Sequence, residues 1–349
     1  MEEYILSEIR PSDRRSIRKM EAMFEKEGIE RDKNLDYTVG LYDEEYNLLA
    51  TGSCFGKTLR CMAVDSNYQG KGLLNLVVTH LVEHQYNRGN LDLFLYTKCD
   101  SAKFFEDLNF HEIARVQDKL VFMENRREGF SKYSDNLAMK KVKAEKVAAA
   151  VVNANPFTLG HQYLLEKISE ENDIVHIFVV SEDASLVPFS ARYDLVKKGT
   201  AHLDNLIYHN TGEYLISTAT FPSYFLKDEE LVIESHARLD IEIFKKIAES
   251  LGVTRRYVGE EPFSKVTNIY NRVMKKELGE CGIECVVIPR KENENGAISA
   301  SKVRSLIHDG RIEQIRDSVP QTTYDFFVST EEGMRVVDRI RNSSDYVHY

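Results

Sequence analysis

From Lys146 to Ser169 the chain reads KVAAAVVNANPFTLGHQYLLEKIS, an apolar run, a short loop and then a helical pattern. Ala148 to Val152 are small and apolar without strict alternation, as in a parallel strand buried on both faces. Leu159, Tyr163, Leu164 and Ile168 recur at helical spacing, and Pro156 breaks the chain between the two elements. Gly160 lets a ligand approach the backbone, and His161 falls in the first turn of the helix. A strand feeding a helix through such a loop makes a phosphate site.

Strand and helix go on alternating downstream. Ile174 to Val180 reads as a strand, Arg192 to His202 as a helix, and Leu206 to Tyr208 and Tyr214 to Ser217 as short strands. A long helix from Leu231 to Leu251 ends at Gly252, followed by a strand at Arg256 to Val258, a helix at Val266 to Leu278 and a strand at Glu284 to Ile288. Lys302 to Ile307 is helical, and Gln321 to Arg341 reads as amphipathic helix packed outside. This order implies a doubly wound parallel sheet, an α/β class domain.

The first part of the chain has another rhythm. Pro11 opens an amphipathic helix that turns Ile17, Met20, Met23 and Phe24 inward and ends at Gly28. Tyr37 to Tyr42, Leu48 to Phe55 and Leu59 to Val64 read as an antiparallel meander. Gln69-Gly70-Lys71-Gly72 then leads into a long helix. Asn125 to Lys143 is charged and turn-rich, a connector that places the boundary near Val142. At 349 residues the length also suits two domains, 1–142 and 143–349.

A net charge of -10 argues against a nucleic-acid-binding protein, which needs excess Lys and Arg for phosphates. The acidic start and the absence of a long apolar run predict neither signal peptide nor membrane span, hence a cytoplasmic protein. Cys54, Cys61, Cys99, Cys281 and Cys285 are scattered without a CxxC pair and read as reduced thiols. His80-Leu81-Val82-Glu83-His84 spells HxxEH, but no third ligand is evident, so the histidines read as ordinary helix-surface residues. Asp194 and Asp240 read as solvated charges, and no protein metal ligand is expected.

Thr158-Leu159-Gly160-His161 resembles the HxGH signature of the nucleotidyltransferase superfamily, with Thr158 in place of the first histidine. Ile298-Ser299-Ala300-Ser301-Lys302-Val303-Arg304 resembles its second signature, ISSTxxR. The stretch around Gln69 and Gly72 resembles the pyrophosphate-binding turn of the GNAT acyltransferase superfamily. Ala102 to Phe110 echoes a further element of that family, though Phe105 stands where a catalytic tyrosine often stands, and Leu74 where glycine or alanine is usual. With Ala219 to Leu226 and Val258 to Phe263, the combination resembles the citrate lyase ligase family over nearly the whole chain.

That resemblance implies a GNAT-like α+β domain followed by a Rossmann-like adenylation domain. It also implies ATP with Mg2+, acetate activated as acetyl adenylate with release of pyrophosphate, and transfer to the thiol of the citrate lyase acyl carrier protein. His161 would donate to the phosphate, with Thr158 supplying a hydroxyl. Ser299 and Ser301 would form a second cradle, and Arg304 or Lys302 would meet the β- and γ-phosphates, Arg304 being better suited. Asn155, Phe157, Gly160, Gly259 and Glu260 complete the implied ATP site. Arg192 would contact a phosphate or the acceptor carboxylate, and Gln69, Gly70, Lys71 and Gly72 a coenzyme-A-like arm. Two other readings compete: a coenzyme-making adenylyltransferase of the pantetheine-phosphate or nicotinamide-mononucleotide type, and an N-acetyltransferase with a nucleotide-sensing domain.

Overall fold

A computed structural model describes residues 4–33, 35–181, 185–215, 221–222, 224, 226, 228–260, 265–293, 296–344 and 346. The chain forms two compact units, Met1–Tyr133 with Pro222–Glu242, and Ser134–Phe221 with Ile243–Tyr349.

In the first unit the elements run β1 (Ile5–Glu8), α1 (Arg14–Glu27), β2 (Tyr37–Tyr42), β3 (Leu48–Phe55), β4 (Thr58–Val64), α2 (Leu73–Asn87), β5 (Phe94–Thr97), α3 (Ala102–Asp107), β6 (His111–Val116) and β7 (Leu120–Glu124). They build a seven-stranded sheet of order β1-β2-β3-β4-β5-β7-β6. The meander β2 to β4 is antiparallel as expected, whereas β4 and β5 are parallel and pair only at Thr58 with Phe94 and Leu59 with Leu95. Past that point the two strands part. Val77, Val78 and Leu81 of α2 pack with Leu41, Leu49, Leu95 and Met123 of the sheet in a dry core. At the start of α1 the cap is Asp13 rather than Pro11, its carboxylate accepting from the N–H groups of Arg15 and Ser16, and Gly28 closes the helix at φ 67.

α4 (Gly129–Ala138) occupies the stretch that composition marks as a connector; it buries only Leu137, which is why the segment reads as polar. The second unit continues with β8 (Val147–Val152), α5 (Leu159–Glu171), β9 (Ile174–Val179), α6 (Phe189–Gly199), β10 (Leu206–Asn210), α7 (Glu229–Leu251), β11 (Arg255–Gly259), α8 (Lys265–Glu280) and β12 (Glu284–Ile288). A two-residue hairpin, β13 (Glu292–Asn293) with β14 (Gly296–Ala297), precedes α9 (Ala300–His308), α10 (Gln321–Ser329) and α11 (Glu331–Asn342). Tyr214 and Leu215 form a turn rather than the expected strand. The remainder of that call, at 216–217, lies outside the described residues, as do 219–220, 223, 225 and 261–263 of the family-like segments.

The large sheet here is wholly parallel, of order β10-β9-β8-β11-β12, which bears out the doubly wound reading. Strand order reverses between β8 and β11, so the crevice for a ligand opens beyond their carboxyl ends. The small side chains Ala148 and Ala150 of β8 let Leu165 and Ile168 of α5 pack closely on the sheet. A separate cluster sets α9 in place: Val303 and Ile307 pack with Ile315, Tyr324, Phe327, Val336 and Ile340. At Gly333 the α10 and α11 backbones approach so closely that a Cβ would lie 1.8 Å from the Phe326 carbonyl oxygen.

Candidate functional site

In the second unit the loop after β8 carries Asn155, whose side-chain oxygen accepts from the Val187 N–H at 3.1 Å. Phe157 is fully buried in the core, against Gly199, where a Cβ would come within 2.3 Å of the ring. Asn155 and Phe157 therefore shape the loop from beneath, and neither lines the cleft.

Thr158 then caps α5. Its hydroxyl accepts from the His161 N–H at 3.3 Å, while the Thr158 N–H donates to His161 Nδ1 at 3.1 Å, a capping box in which histidine replaces the usual Glu or Gln. An Nδ1 that accepts leaves Nε2 as the protonated nitrogen of the neutral ring. Desolvation, with the positive charge of Arg290 adding to it, pushes the His161 pKa down to about 4. At neutral pH His161 is thus an uncharged donor through Nε2. Thr158, 1% exposed and with its hydroxyl 2.8 Å from His161 Nδ1, positions that ring instead of presenting its own hydroxyl to a phosphate.

The backbone of α5 adds a further donor. Of its first-turn amides, Leu159 donates to the Ser318 carbonyl and His161 to Thr158 Oγ1, which leaves that of Gly160. A Cβ at Gly160 would sit 3.3 Å from the Ile298 carbonyl oxygen, so glycine brings the two signature segments into contact. There Ser299 caps α9, its hydroxyl accepting from the Lys302 N–H at 3.2 Å and lying 3.2 Å from Ser301 Oγ. The Ala300 and Ser301 amides have no acceptor within the helix.

These groups share one cleft of about 660 Å³, lined by Thr158, Gly160, His161, Gly259, Glu260, Ser299, Ser301 and Arg304 among others. Two helix N-termini and a neutral imidazole N–H pointing to one space are a donor set for a polyanion. Gly259 ends β11 and Glu260 follows it, across the strand-order reversal from β8.

Three cations expected at phosphates stand differently. Arg192 does not line the cleft: fully buried, it donates from Nε to the Val187 carbonyl at 2.9 Å and from Nη1 to the Val180 and Asn153 carbonyls at 2.7 and 2.9 Å. It ties together the loops at the sheet edge. Arg304 borders the cleft but is 4% exposed, with Nε donating to the Tyr346 carbonyl at 2.6 Å and Nη1 to the Asn155 carbonyl. It joins α9 to the β8 loop. Lys302 is exposed and off the cleft. The cleft cations that the signatures do not contain are Arg290 and Lys291; basic residues beside a strand end were the only signal for them.

The first unit holds a second cleft, of about 550 Å³, where β4 and β5 separate. Gln69, Gly70 and Gly72 line it, with Gly70 at φ 80 and Gly72 at φ 75, conformations that favour glycine. Gly72 is the N-cap of α2 and no side chain caps that helix; the Asn75 N–H donates to the Gly72 carbonyl, which leaves the Leu73 and Leu74 amides without an acceptor in the helix. Lys71 lies off the cleft, its Nζ 5.1 Å over the Tyr68 ring. Leu74 lines the cleft and also packs on the core. Phe105 is on the wall, without a hydroxyl, alongside Tyr68, Tyr96 and Tyr224. Tyr224 Oη donates to the Tyr96 carbonyl at 2.9 Å and its pKa is raised by burial, so it does not replace the missing acid.

Elsewhere, Tyr37 hydrogen-bonds His80 Nε2 at 2.8 Å and stacks on His84 at 3.7 Å, which uses the HxxEH helix face for packing. Asp240 is buried rather than solvated, while Asp194 is exposed and paired with Lys198. All five cysteines are free. Among the described residues no group of three or more His, Cys, Asp or Glu side chains could hold a metal, and no helix is long and apolar enough to cross a membrane.

Residues 147–327 match the family model described as the citrate lyase ligase C-terminal domain. The chain is 38% identical over 293 residues to the citrate (pro-3S)-lyase ligase of Klebsiella pneumoniae, covering 82% of this chain and 86% of that protein. It is 35% identical to the Escherichia coli K12 protein of the same name (88% and 90% covered) and 32% identical to that of Haemophilus influenzae (90% and 96% covered).

Proposed function

The chain belongs to the citrate lyase ligase family, and from that premise we propose that its second unit activates acetate with ATP and that the first helps deliver the acetyl group to a carrier thiol. The observation that carries the adenylation step is the meeting of the two signatures at Gly160 and Ile298, which aims both helix starts at one cleft. We take residues 1–142 and 143–349 as the division of labour between carrier binding and adenylation.

An acetate oxygen attacks the α-phosphorus, the bond to the bridging oxygen breaks, and pyrophosphate leaves with that electron pair. Charge grows on the phosphate oxygens as this happens. Donors fixed beforehand at Gly160, Ala300, Ser301 and His161 Nε2 meet it without reorganising. A neutral imidazole serves the task, because its Nε2–H donates at every pH above the depressed pKa of His161. The carrier thiolate of the citrate lyase acyl carrier protein then attacks the acyl carbon, and AMP leaves. Mg2+, held by phosphate oxygens and water, would neutralise part of the triphosphate charge, consistent with a donor-rich and carboxylate-poor site.

In the first unit the uncapped start of α2 and the parted strands β4 and β5 suit the pyrophosphate and pantetheine of a coenzyme-A-like arm. Without an acid at position 105 this unit would hold the arm rather than catalyse transfer. ATP–pyrophosphate exchange measured with acetate, propionate, citrate, phosphopantetheine and nicotinamide mononucleotide tests the reading. Exchange that depends on acetate is the expected result. Dependence on phosphopantetheine or the mononucleotide would indicate a coenzyme adenylyltransferase instead, and no exchange with any acid would end the adenylation proposal.

A further inference from the structure

The cleft of the first unit has two unlike ends. At the wide end, past the last residue of β4, lie Gln69, Gly70 and Gly72 and the start of α2, with the Leu73 and Leu74 amides. At the narrow end, where β4 and β5 begin to part, stands Tyr224. Between them Met62 and Val64 of β4 and Phe104 and Phe105 of α3 give an apolar wall. An anionic head on a long thin arm fits such a space, with the head at the amides and the tip at Tyr224.

Tyr224 occupies the first missing rung of the β4–β5 ladder. The Phe94 N–H of β5 donates to the Lys57 carbonyl at 3.0 Å, on the β4 side, and backbone groups alternate sides along a strand, so Tyr96 turns its carbonyl the same way. In a continued parallel ladder the Cys61 N–H of β4 would donate to that carbonyl. Instead β4 bulges at Cys61, whose φ is 50, where the register with β3 shifts, and the Tyr96 carbonyl accepts from Tyr224 Oη at 2.9 Å. Burial raises the Tyr224 pKa while the Cys61 N–H draws it back, which sets that amide at the same phenol oxygen. One hydroxyl thus serves both halves of the broken rung. The residue is held by its backbone as well, since the Glu30 N–H donates to the Tyr224 carbonyl at 2.7 Å, and it is 6% exposed. Moving the ring aside costs a buried hydrogen bond.

We infer that Tyr224 is the end wall of this cleft and makes it selective for an arm ending in a free thiol over the same arm carrying an acetyl group. The inference rests on the reading of the cleft as an arm site and adds to it a residue that sets its depth. A thiol is the last heavy atom of a pantetheine arm, and it stops at the ring. The thioester adds a carbonyl and a methyl group beyond the sulfur, and these have room only if the phenol leaves its rung. The cleft therefore holds the arm that is to be acetylated and releases the one that has been.

The test is calorimetric binding of dephospho-coenzyme A, which carries the pyrophosphate and pantetheine on an adenosine, and of its S-acetyl derivative. Both are titrated into the full chain as wild type, Tyr224→Phe and Tyr224→Ala, with a thermal melt for each. The wild type is expected to bind the thiol about tenfold more tightly than the thioester, the scale of one buried hydrogen bond lost. Tyr224→Phe keeps the ring but not the rung, so its preference should shrink, and Tyr224→Ala should bind the two ligands within about twofold of each other. The wild-type comparison needs no variant, so it decides even where Tyr224→Ala melts early. Equal affinity for thiol and thioester in the wild type would overturn the inference while leaving the arm reading in place, and so would a full preference in folded Tyr224→Ala. Binding of neither ligand by the wild type would overturn the arm reading and this inference with it.

Discussion

His161 shows how one residue acquires a role from its neighbours. Its Nδ1 accepts from the N-cap amide of its own helix, so the tautomer is set by the fold before any ligand arrives. With a pKa pushed down to about 4, the ring stays neutral from that value upward, and the rate of adenylation should show no limb near pH 6.5 attributable to it. His161→Ala is expected to lower acetate-dependent ATP–pyrophosphate exchange by ~10² to 10³, the usual effect of removing one donor aimed at developing charge. ATP affinity should change much less, because the helix amides remain. Exchange near the wild-type level would reduce His161 to a capping residue. The place of His161 in the first turn of α5 was legible in the sequence from the strand, loop and helix pattern around Pro156 and Gly160, while its part as a donor came only with the resemblance. The commitments of Arg304 and Arg192 were not: the Tyr346 carbonyl lies 42 residues beyond Arg304, and Arg192 meets carbonyls from two other loops. Spacing along one helix carries no information about such partners.

At the level of elements, β8 and β9 announce themselves because burial on both faces leaves nearly unbroken apolar runs, whereas β11 and β12 are read from their place in the alternation of strand and helix. β1 does not, being a four-residue edge strand with three exposed residues, and α4 hides for the same reason. One feature of the parallel sheet is a buried histidine pair on neighbouring strands, His176 of β9 and His209 of β10, with Nδ1 and Nε2 2.9 Å apart. The His209 ring stacks on Phe178 at 4.7 Å. Burial, with the charge of Lys140 adding to it, pushes the His176 pKa down to about 4, and burial, then the neighbouring His176 and Lys140, push that of His209 down to about 3. Unfolded histidine takes up its proton near pH 6.5, so below that pH the unfolded chain binds protons that the folded chain refuses. Stability is therefore full above about pH 6.5 and falls as pH drops toward 4, each refused proton adding about 1.4 kcal/mol per pH unit. Urea midpoints measured from pH 7.5 to 4.5 should fall across this window, and less steeply in His176→Asn/His209→Gln. Equal slopes in the two proteins would assign the acid sensitivity to other groups.

For the molecule as a whole, length and alternation were enough to anticipate two folds in series, but not that Pro222–Glu242 would belong with the first unit. Ile233, Ala237 and Leu239 on one part of α7 and Ile243, Phe244 and Ile247 on the rest are equally buried, so apolar periodicity runs on without a break to mark the crossing. Each unit carries its own cleft, and the overall reaction needs both only if the first receives the carrier arm. Gly72 allows these contributions to be separated. It sits at φ 75 with nothing within 4 Å of a Cβ placed there, and Asp and Asn are among the residues that best tolerate this left-handed conformation. Gly72→Asp therefore changes mainly the charge at the start of α2, where a pyrophosphate would lie, and Gly72→Asn supplies a control of similar shape without the charge. With the carrier protein below saturation, Gly72→Asp is expected to slow acetyl transfer to its thiol severalfold while ATP–pyrophosphate exchange in the second unit continues unchanged. Gly72→Asn should fall between wild type and Gly72→Asp. Transfer at the wild-type rate in Gly72→Asp would refute carrier binding by this cleft, and a parallel fall in exchange would show that the substitution acts on adenylation instead.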